Sequence, residues 1–150
     1  MKQENVSGSD TEFHTFRITK CLFKDNCLPS LNDLLGKNPL EYNRLKRNME
    51  MAVITFIRRD LRGYKPTCRV ALDIEWGEKN KGRKRDYDNV VAAGRKIIND
   101  SLVKSGVLKD DSPTYLGYGD NTFCYVNNPY VEVKIREITN DTEASDITVH

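Results

Sequence analysis

The chain has 150 residues, of which 38% are hydrophobic and 31% are charged, a composition typical of one globular domain with its own core. No apolar run approaches the roughly 20 residues of a membrane-spanning helix, and the four cysteines and two histidines lack the close spacing of a zinc site. The polar first residues lack the apolar segment of a secretory signal, so we expect a cytoplasmic protein with no membrane partner.

The net charge of +2 conceals an uneven distribution along the chain. Residues 1–12 carry one lysine and three acidic residues, and residues 139–150 carry three acidic residues and no lysine or arginine, so residues 13–138 have a net charge of +7. We therefore predict a mobile polar N-terminus (1–12), a basic domain (13–138) and a disordered acidic tail (139–150). A basic domain favours polyanionic partners.

The first predicted elements are a strand and a long helix. Residues 12–20 alternate around aromatic side chains, which indicates a strand. Asn38 has the side chain of a helix cap, Pro39 suits the first helical position, and Glu41 completes a capping box. Apolar residues then recur at helical spacing, which predicts a helix that ends at about Arg62.

The second half of the chain predicts a second helix between strands. The alternating residues 68–76 indicate a half-buried strand, a charged loop follows, and a helix is expected from about Asp88 to Lys104 with Gly106 beyond its end. Later strands are expected within 114–119 or 123–126, and over 130–138. This order predicts an α+β fold, a single domain in which a mixed β-sheet packs against two main helices.

Acidic residues lie on either side of the second helix. Asp86 and Asp88 are two residues apart, a spacing that places both carboxylates on one side of an extended segment, although either residue could instead cap the helix. Asp110 and Asp111 follow the helix. The two pairs would meet only if the chain turned back along the helix, or if a second subunit supplied part of the site.

Converging carboxylates repel one another unless a cation neutralises them, and oxygen ligands without histidine or thiolate select Mg²⁺ or Mn²⁺. Such an ion can activate water against a phosphodiester. A run of cations beside the aspartates could bind the phosphate backbone, or could simply be a solvated loop. The predicted DNA-binding cations of this run are Lys81, Arg83, Lys84 and Arg85. Metal-binding carboxylates beside phosphate-binding cations are what a nuclease requires.

The segment RDYDNVVAAGRKIINDSLVKSGVLKDDS (85–112) resembles the RusA-type Holliday junction resolvases, small endonucleases of phages and prophages. Their pattern is a basic run, Asp-x-Asp-Asn, a helix ending near glycine, and Asp-Asp. LPSLND (28–33) is similar to a further segment of that family, and the resemblance covers residues 13–138. It implies a RusA-like fold and a homodimer that binds branched DNA in a bacterial cell or a phage-infected host.

The resemblance also implies the roles of individual residues. Asp86, Asp88 and Asp111 would be the catalytic carboxylates that hold the metal. The family's functional lysine falls on Ala92, so the resemblance leaves Lys96 as the catalytic cation. Arg95, its neighbour and rival for this role, would otherwise bind DNA.

Two other classes of function remain open from the sequence. A junction- or DNA-binding module without catalysis would keep the basic surface and tolerate Ala92, and it would bind DNA in a salt-dependent manner without nicking it. A protein-interaction domain would use its aspartates as helix caps, and it would have no affinity for nucleic acid at moderate salt.

Overall fold

The computed structural model describes residues 13–20 and 22–138, so both predicted tails and Cys21 lie outside the described residues. These residues form five strands and three helices. In chain order they are β1 (Phe13–Ile18), α1 (Leu31–Leu34), α2 (Pro39–Leu61), β2 (Val70–Lys79), α3 (Tyr87–Lys104), β3 (Leu116–Gly117), β4 (Asn121–Val126) and β5 (Tyr130–Glu137). No helix among them is long and apolar enough to cross a membrane.

The five strands form one curled, mixed sheet with β2 at its centre. On one side β2 pairs antiparallel with β5, and β5 pairs antiparallel with β1. On the other side β2 pairs in parallel with two strands in succession, first with β3 and then with β4. The predicted α+β class and mixed sheet are therefore confirmed, and the sheet carries three helices.

The capping signals at the start of α2 act as predicted. The Asn38 side chain accepts a hydrogen bond from the backbone N–H of Glu41 at 2.9 Å, and the Asn38 N–H donates to the Glu41 carboxylate at 3.4 Å. Pro39 occupies the first turn, where its missing N–H costs no helical bond. At the other end Arg62 adopts a left-handed conformation (φ 51°) that stops the helix.

The core lies between one face of the sheet and the long helices α2 and α3. Alternate residues of β2 and β5 point into it, and Leu72, Ile74 and Trp76 are 0–1% exposed. Gly94 of α3 lies directly against the Trp76 ring, where an added Cβ would come within 2.6 Å of a ring carbon. This close approach fixes α3, and with it the predicted site residues, against the centre of the sheet.

Strand β2 extends further than the alternation of its residues predicts. It continues beyond Trp76 to Lys79, because β4 pairs with it in parallel over this stretch. Glu78 is buried there, and a buried carboxylate in a strand requires a cationic partner. Two further differences are the short helix α1 in a predicted loop and the presence of both alternative strands, β3 and β4.

Candidate active site

Asp86 and Asp88 lie together at the start of α3, as the sequence predicts. Asp86 is the helix cap, and its Oδ1 accepts hydrogen bonds from the backbone N–H groups of Asp88 at 3.0 Å and Asn89 at 3.3 Å. Both aspartates are exposed, near the positive end of the helix dipole, which stabilises their negative charge. The capping role is therefore real for Asp86, whereas Asp88 presents its carboxylate to solvent.

The chain turns back after α3, as convergence of the acidic pairs requires. Gly106 adopts a positive φ of 88°, and the N–H groups of Val107 and Leu108 both donate to the carbonyl of Leu102. Asp111 then lies 3.7 Å from the ammonium group of Lys96. The return thus brings Asp111 to the side chain of Lys96, whose backbone is about 12 Å of helical rise beyond Asp88.

Lys96 is held in place by two carboxylates. Its Nζ lies 3.2 Å from Asp100, one turn further along α3, in addition to the contact with Asp111. Asp100 also receives a 2.7 Å contact from Lys46 of α2. Burial works to raise the pKa of Asp100, but the hydrogen bonds from Lys46 and Lys96 hold that pKa below its usual value. Asp100 is therefore an anion that orients two lysines.

The same chain of charges continues into the contact between α2 and α3. Lys46 lies 3.2 Å from Glu50, whose side chain is almost completely buried. Lys104 closes the series by contacting the other Glu50 oxygen. The hydrogen bond to Asp100 raises the pKa of Lys46, despite partial burial. Alternating charges thus extend from Lys104 to Asp111 across both helices.

Ala92, at the position where the resemblance places a lysine, lies between Asp88 and Lys96 on α3. Asp88, Ala92 and Lys96 are four residues apart and share one face of α3. Ala92 lines an apolar cavity of about 140 Å³ together with Lys96 and Lys46. Two lysines therefore border the position at which the sequence lacks a cation. Sequence reasoning missed Lys46 and Asp100, although the pairs Lys46–Glu50 and Lys96–Asp100 have the four-residue spacing of helical ion pairs.

The carboxylates present suit a hard cation in their chemistry, since all the donor atoms are oxygens. Within residues 13–20 and 22–138, however, no three acidic, histidine or cysteine side chains lie close enough together to hold one ion. Asp86 and Asp88 lie two residues apart at the start of α3, whereas Asp111 is engaged by Lys96. The metal-binding role of these three residues stays a prediction.

Arg85 has internal partners rather than an open guanidinium. Its Nε and Nη2 donate to the two carboxylate oxygens of Glu78, each at 2.8 Å, and its Nη1 donates to the carbonyl of Leu28 at 2.8 Å. Asp33 lies 3.6 Å from the same guanidinium. Arg85 therefore connects the start of α3 to β2 and to the segment before α1. These contacts stabilise the start of the helix that carries Asp86 and Asp88.

Arg95 is also engaged within the fold. It donates to the Asn121 side chain at 2.9 Å and to the backbone carbonyls of Leu72 at 2.8 Å and Asp120 at 3.1 Å. Burial lowers the pKa of Arg95 from its usual value, against the attraction of Asp73. Arg95 thus attaches α3 to the edge of the sheet at Asn121, the first residue of β4.

The remaining predicted DNA-binding cations are on the surface. Lys81 and Arg83 are exposed and form no ion pair within the described residues. Lys84 donates from Nζ to the carbonyl of Asn80 at 2.6 Å and lies 4.8 Å from the centre of the Tyr125 ring. These three cations lie in the segment that connects β2 to the start of α3.

No model of a protein family matches the chain, and no curated protein sequence matches it significantly.

Proposed function

We propose that the chain is a Mg²⁺-dependent, structure-specific endonuclease that cleaves DNA at Holliday junctions, as its resemblance to the RusA-type resolvases implies. Mn²⁺ would serve as an alternative ion. The observation that carries the proposal is the position of Lys96. Lys96 lies on α3, the helix whose N-cap and first turn carry Asp86 and Asp88, and its ammonium group is 3.7 Å from Asp111. The cation that a nuclease requires is thus paired with one of the predicted carboxylates, on the helix whose start carries the other two.

Each residue has a distinct part in the proposed reaction. Asp86, Asp88 and Asp111 would hold the metal, whose chemistry is to activate water and to neutralise charge on the phosphate. Lys96, oriented by Asp100, would stabilise negative charge that develops near Asp111. Outside this centre, the exposed cations Lys81, Arg83 and Lys84 would bind the phosphate backbone on either side of the cleaved bond.

A homodimer matches the proposed substrate. A four-way junction has two-fold symmetry, and its resolution requires nicks in two opposite strands, so two identical sites related by a dimer axis fit it. In one subunit Asp111 is paired with Lys96, about two helical turns beyond Asp88, so a second subunit or a rearrangement on DNA would bring the third carboxylate to the metal.

The competing function is a DNA-binding module without catalysis. Two observations favour it: Ala92 stands in the place of the family's lysine, and Asp86 is engaged as a helix cap. Such a module would bind junctions through the same surface cations and leave both strands intact.

A nicking assay on a synthetic four-way junction with Mg²⁺ separates the two functions. We expect the unmodified chain to nick the junction and Asp88→Asn to bind it without nicking. Asp88 is the best residue to substitute, because Asp86 also supports the helix. Asp25→Asn is a charge-matched control, because the Asp25 side chain is 72% exposed and pairs with Lys79 at 3.3 Å, away from the three predicted metal ligands. Binding without nicking by the unmodified chain, with Mn²⁺ as well as Mg²⁺, would support the non-catalytic module instead.

A further inference from the structure

One edge of the sheet, beside α3, carries exposed tyrosines between cationic side chains. Within the described residues β4 pairs only with β2, so its outer side forms this edge. We call the surface formed by β4, the β3–β4 loop, the adjoining side of α3 and the cations just before α3 and β2 the aromatic edge. Its members are Tyr125, Lys84, Tyr87, Arg95, Tyr118 and Arg69.

Contacts along β4 establish the order of these groups. At the end of β4, the Lys84 ammonium group lies 4.8 Å from the centre of the Tyr125 ring. Further back along the strand, the Tyr87 ring packs on Phe123 at 4.7 Å between ring centres. At the start of β4, Arg95 donates to Asn121. The aromatic and cationic groups therefore alternate along the length of the strand.

The exposure of the tyrosines is unusual for such large apolar groups. Tyr125 is 48% exposed, Tyr87 is 52% exposed and Tyr118 is 71% exposed. Aromatic side chains that remain in water on one surface are typical of binding sites, where their flat faces bury area at a low cost in side-chain entropy. The Tyr87 ring is already fixed by Phe123, so ordering it on binding costs little.

A cavity of about 470 Å³ lies at the Tyr118 end of the aromatic edge. Arg69, Arg95 and Asn99 line it, together with the loop that contains Gly119. Arg69 is held by a 2.9 Å hydrogen bond from its Nε to the Pro113 carbonyl. Guanidinium groups bind phosphate oxygens through paired N–H groups, so a cavity lined by two of them suits a phosphate.

We propose that the aromatic edge binds unpaired nucleotides of a DNA strand beside the proposed cleavage site. Bases would stack on Tyr125, Tyr87 and Tyr118, while Lys84 and the cavity at Arg69 would bind phosphates. Stacking platforms between backbone-binding cations are the usual means of holding single strands. Asp86 and Asp88 flank Tyr87 at the exposed start of α3, so this end of the aromatic edge begins beside two of the proposed metal ligands. The assignment of the strand to a junction rests on the proposed function, whereas strand binding itself does not.

Anisotropy of a labelled oligothymidylate tests the proposal in EDTA, where no cleavage occurs. Loss of a stacked ring costs about five- to hundredfold in affinity, so Tyr118→Ala and Tyr125→Ala should each weaken binding by roughly tenfold. Tyr118→Phe and Tyr125→Phe should bind as the unmodified chain does, because stacking needs only the ring. Phe13→Ala is the matched control: Phe13 is 48% exposed on the far edge strand, with Lys134 4.9 Å from its ring centre.

Three results would overturn the proposal: alanine variants that bind normally, phenylalanine variants as weak as the alanine ones, or an equal loss in Phe13→Ala. Tighter binding of oligouridylate than of oligothymidylate would overturn the assignment to DNA. Unfolding in urea identifies any variant that has lost its fold, and the phenylalanine variants then carry the test. Normal strand binding by a chain that never nicks junctions would refute the proposed function alone, and nicking without tyrosine-dependent strand binding would refute this inference alone.

Discussion

Replacing Arg85 by alanine should destabilise the protein strongly, although Arg85 lies in a run of basic residues. Its guanidinium makes two 2.8 Å hydrogen bonds to Glu78 and one to the Leu28 carbonyl. The side chains of Arg85 and Glu78 are only 17% and 7% exposed, so Arg85→Ala leaves a buried carboxylate without a partner. Such a loss costs about 3–5 kcal/mol of unfolding free energy, or roughly 6–20 °C in Tm for a chain of this length.

Unfolding in urea measures this cost, and the neighbouring Lys84 provides the control. Lys84→Ala removes the same charge from an exposed side chain, so we expect it to change stability by less than about 0.5 kcal/mol. A double variant, Arg85→Met with Glu78→Met, should recover most of the loss because no unpaired charge remains. Equal effects of Arg85→Ala and Lys84→Ala, or additive losses in the double variant, would refute the reasoning.

Three further predictions concern α3. Because Lys46 and Lys96 hold the pKa of Asp100 below its usual value, the stability it contributes is present above about pH 4 and is lost as the pH falls through the lower folded pKa. Urea unfolding should therefore show Asp100→Asn about 1–2 kcal/mol less stable than the unmodified chain at pH 7, and this gap should shrink as the pH falls below about 4; a constant gap would contradict this. Gly94→Ala should cost about 1–3 kcal/mol, measured in the same way, because its Cβ would overlap the Trp76 ring; a gain in stability would contradict that packing. In the nicking assay Lys96→Ala should lower the rate at least about tenfold and Lys96→Arg should restore part of it; normal nicking by Lys96→Ala would remove Lys96 from the site.

The elements with local signals were predictable from the sequence. The start of α2 was correct to the residue, because Asn38, Pro39 and Glu41 act on each other within one turn. The end of β2 was not, because Glu78 and Lys79 have the composition of a loop. They remain in the strand because β4, more than 40 residues later, pairs with them. Strand length here depends on a distant partner, which local alternation cannot show.

The features of the candidate site were likewise predictable only where the signal is local in the sequence. The exposed position of Asp88 and the capping role of Asp86 follow from their place before an apolar helix. The internal partners of Arg95 were not predictable, because Leu72 and Asn121 are more than 20 residues away in sequence. From the sequence alone, a basic residue beside a predicted site cannot be distinguished from a ligand-binding residue, because the backbone carbonyls to which it donates come from distant segments.

The most direct test of the central claim is to map the cuts on a four-way junction labelled in turn on each strand, in Mg²⁺, with the unmodified chain and Asp88→Asn. The proposed function predicts paired nicks at symmetric positions in two opposite strands from the unmodified chain, and none from Asp88→Asn. Intact strands with both proteins, or the same nicks from Asp88→Asn, would contradict it.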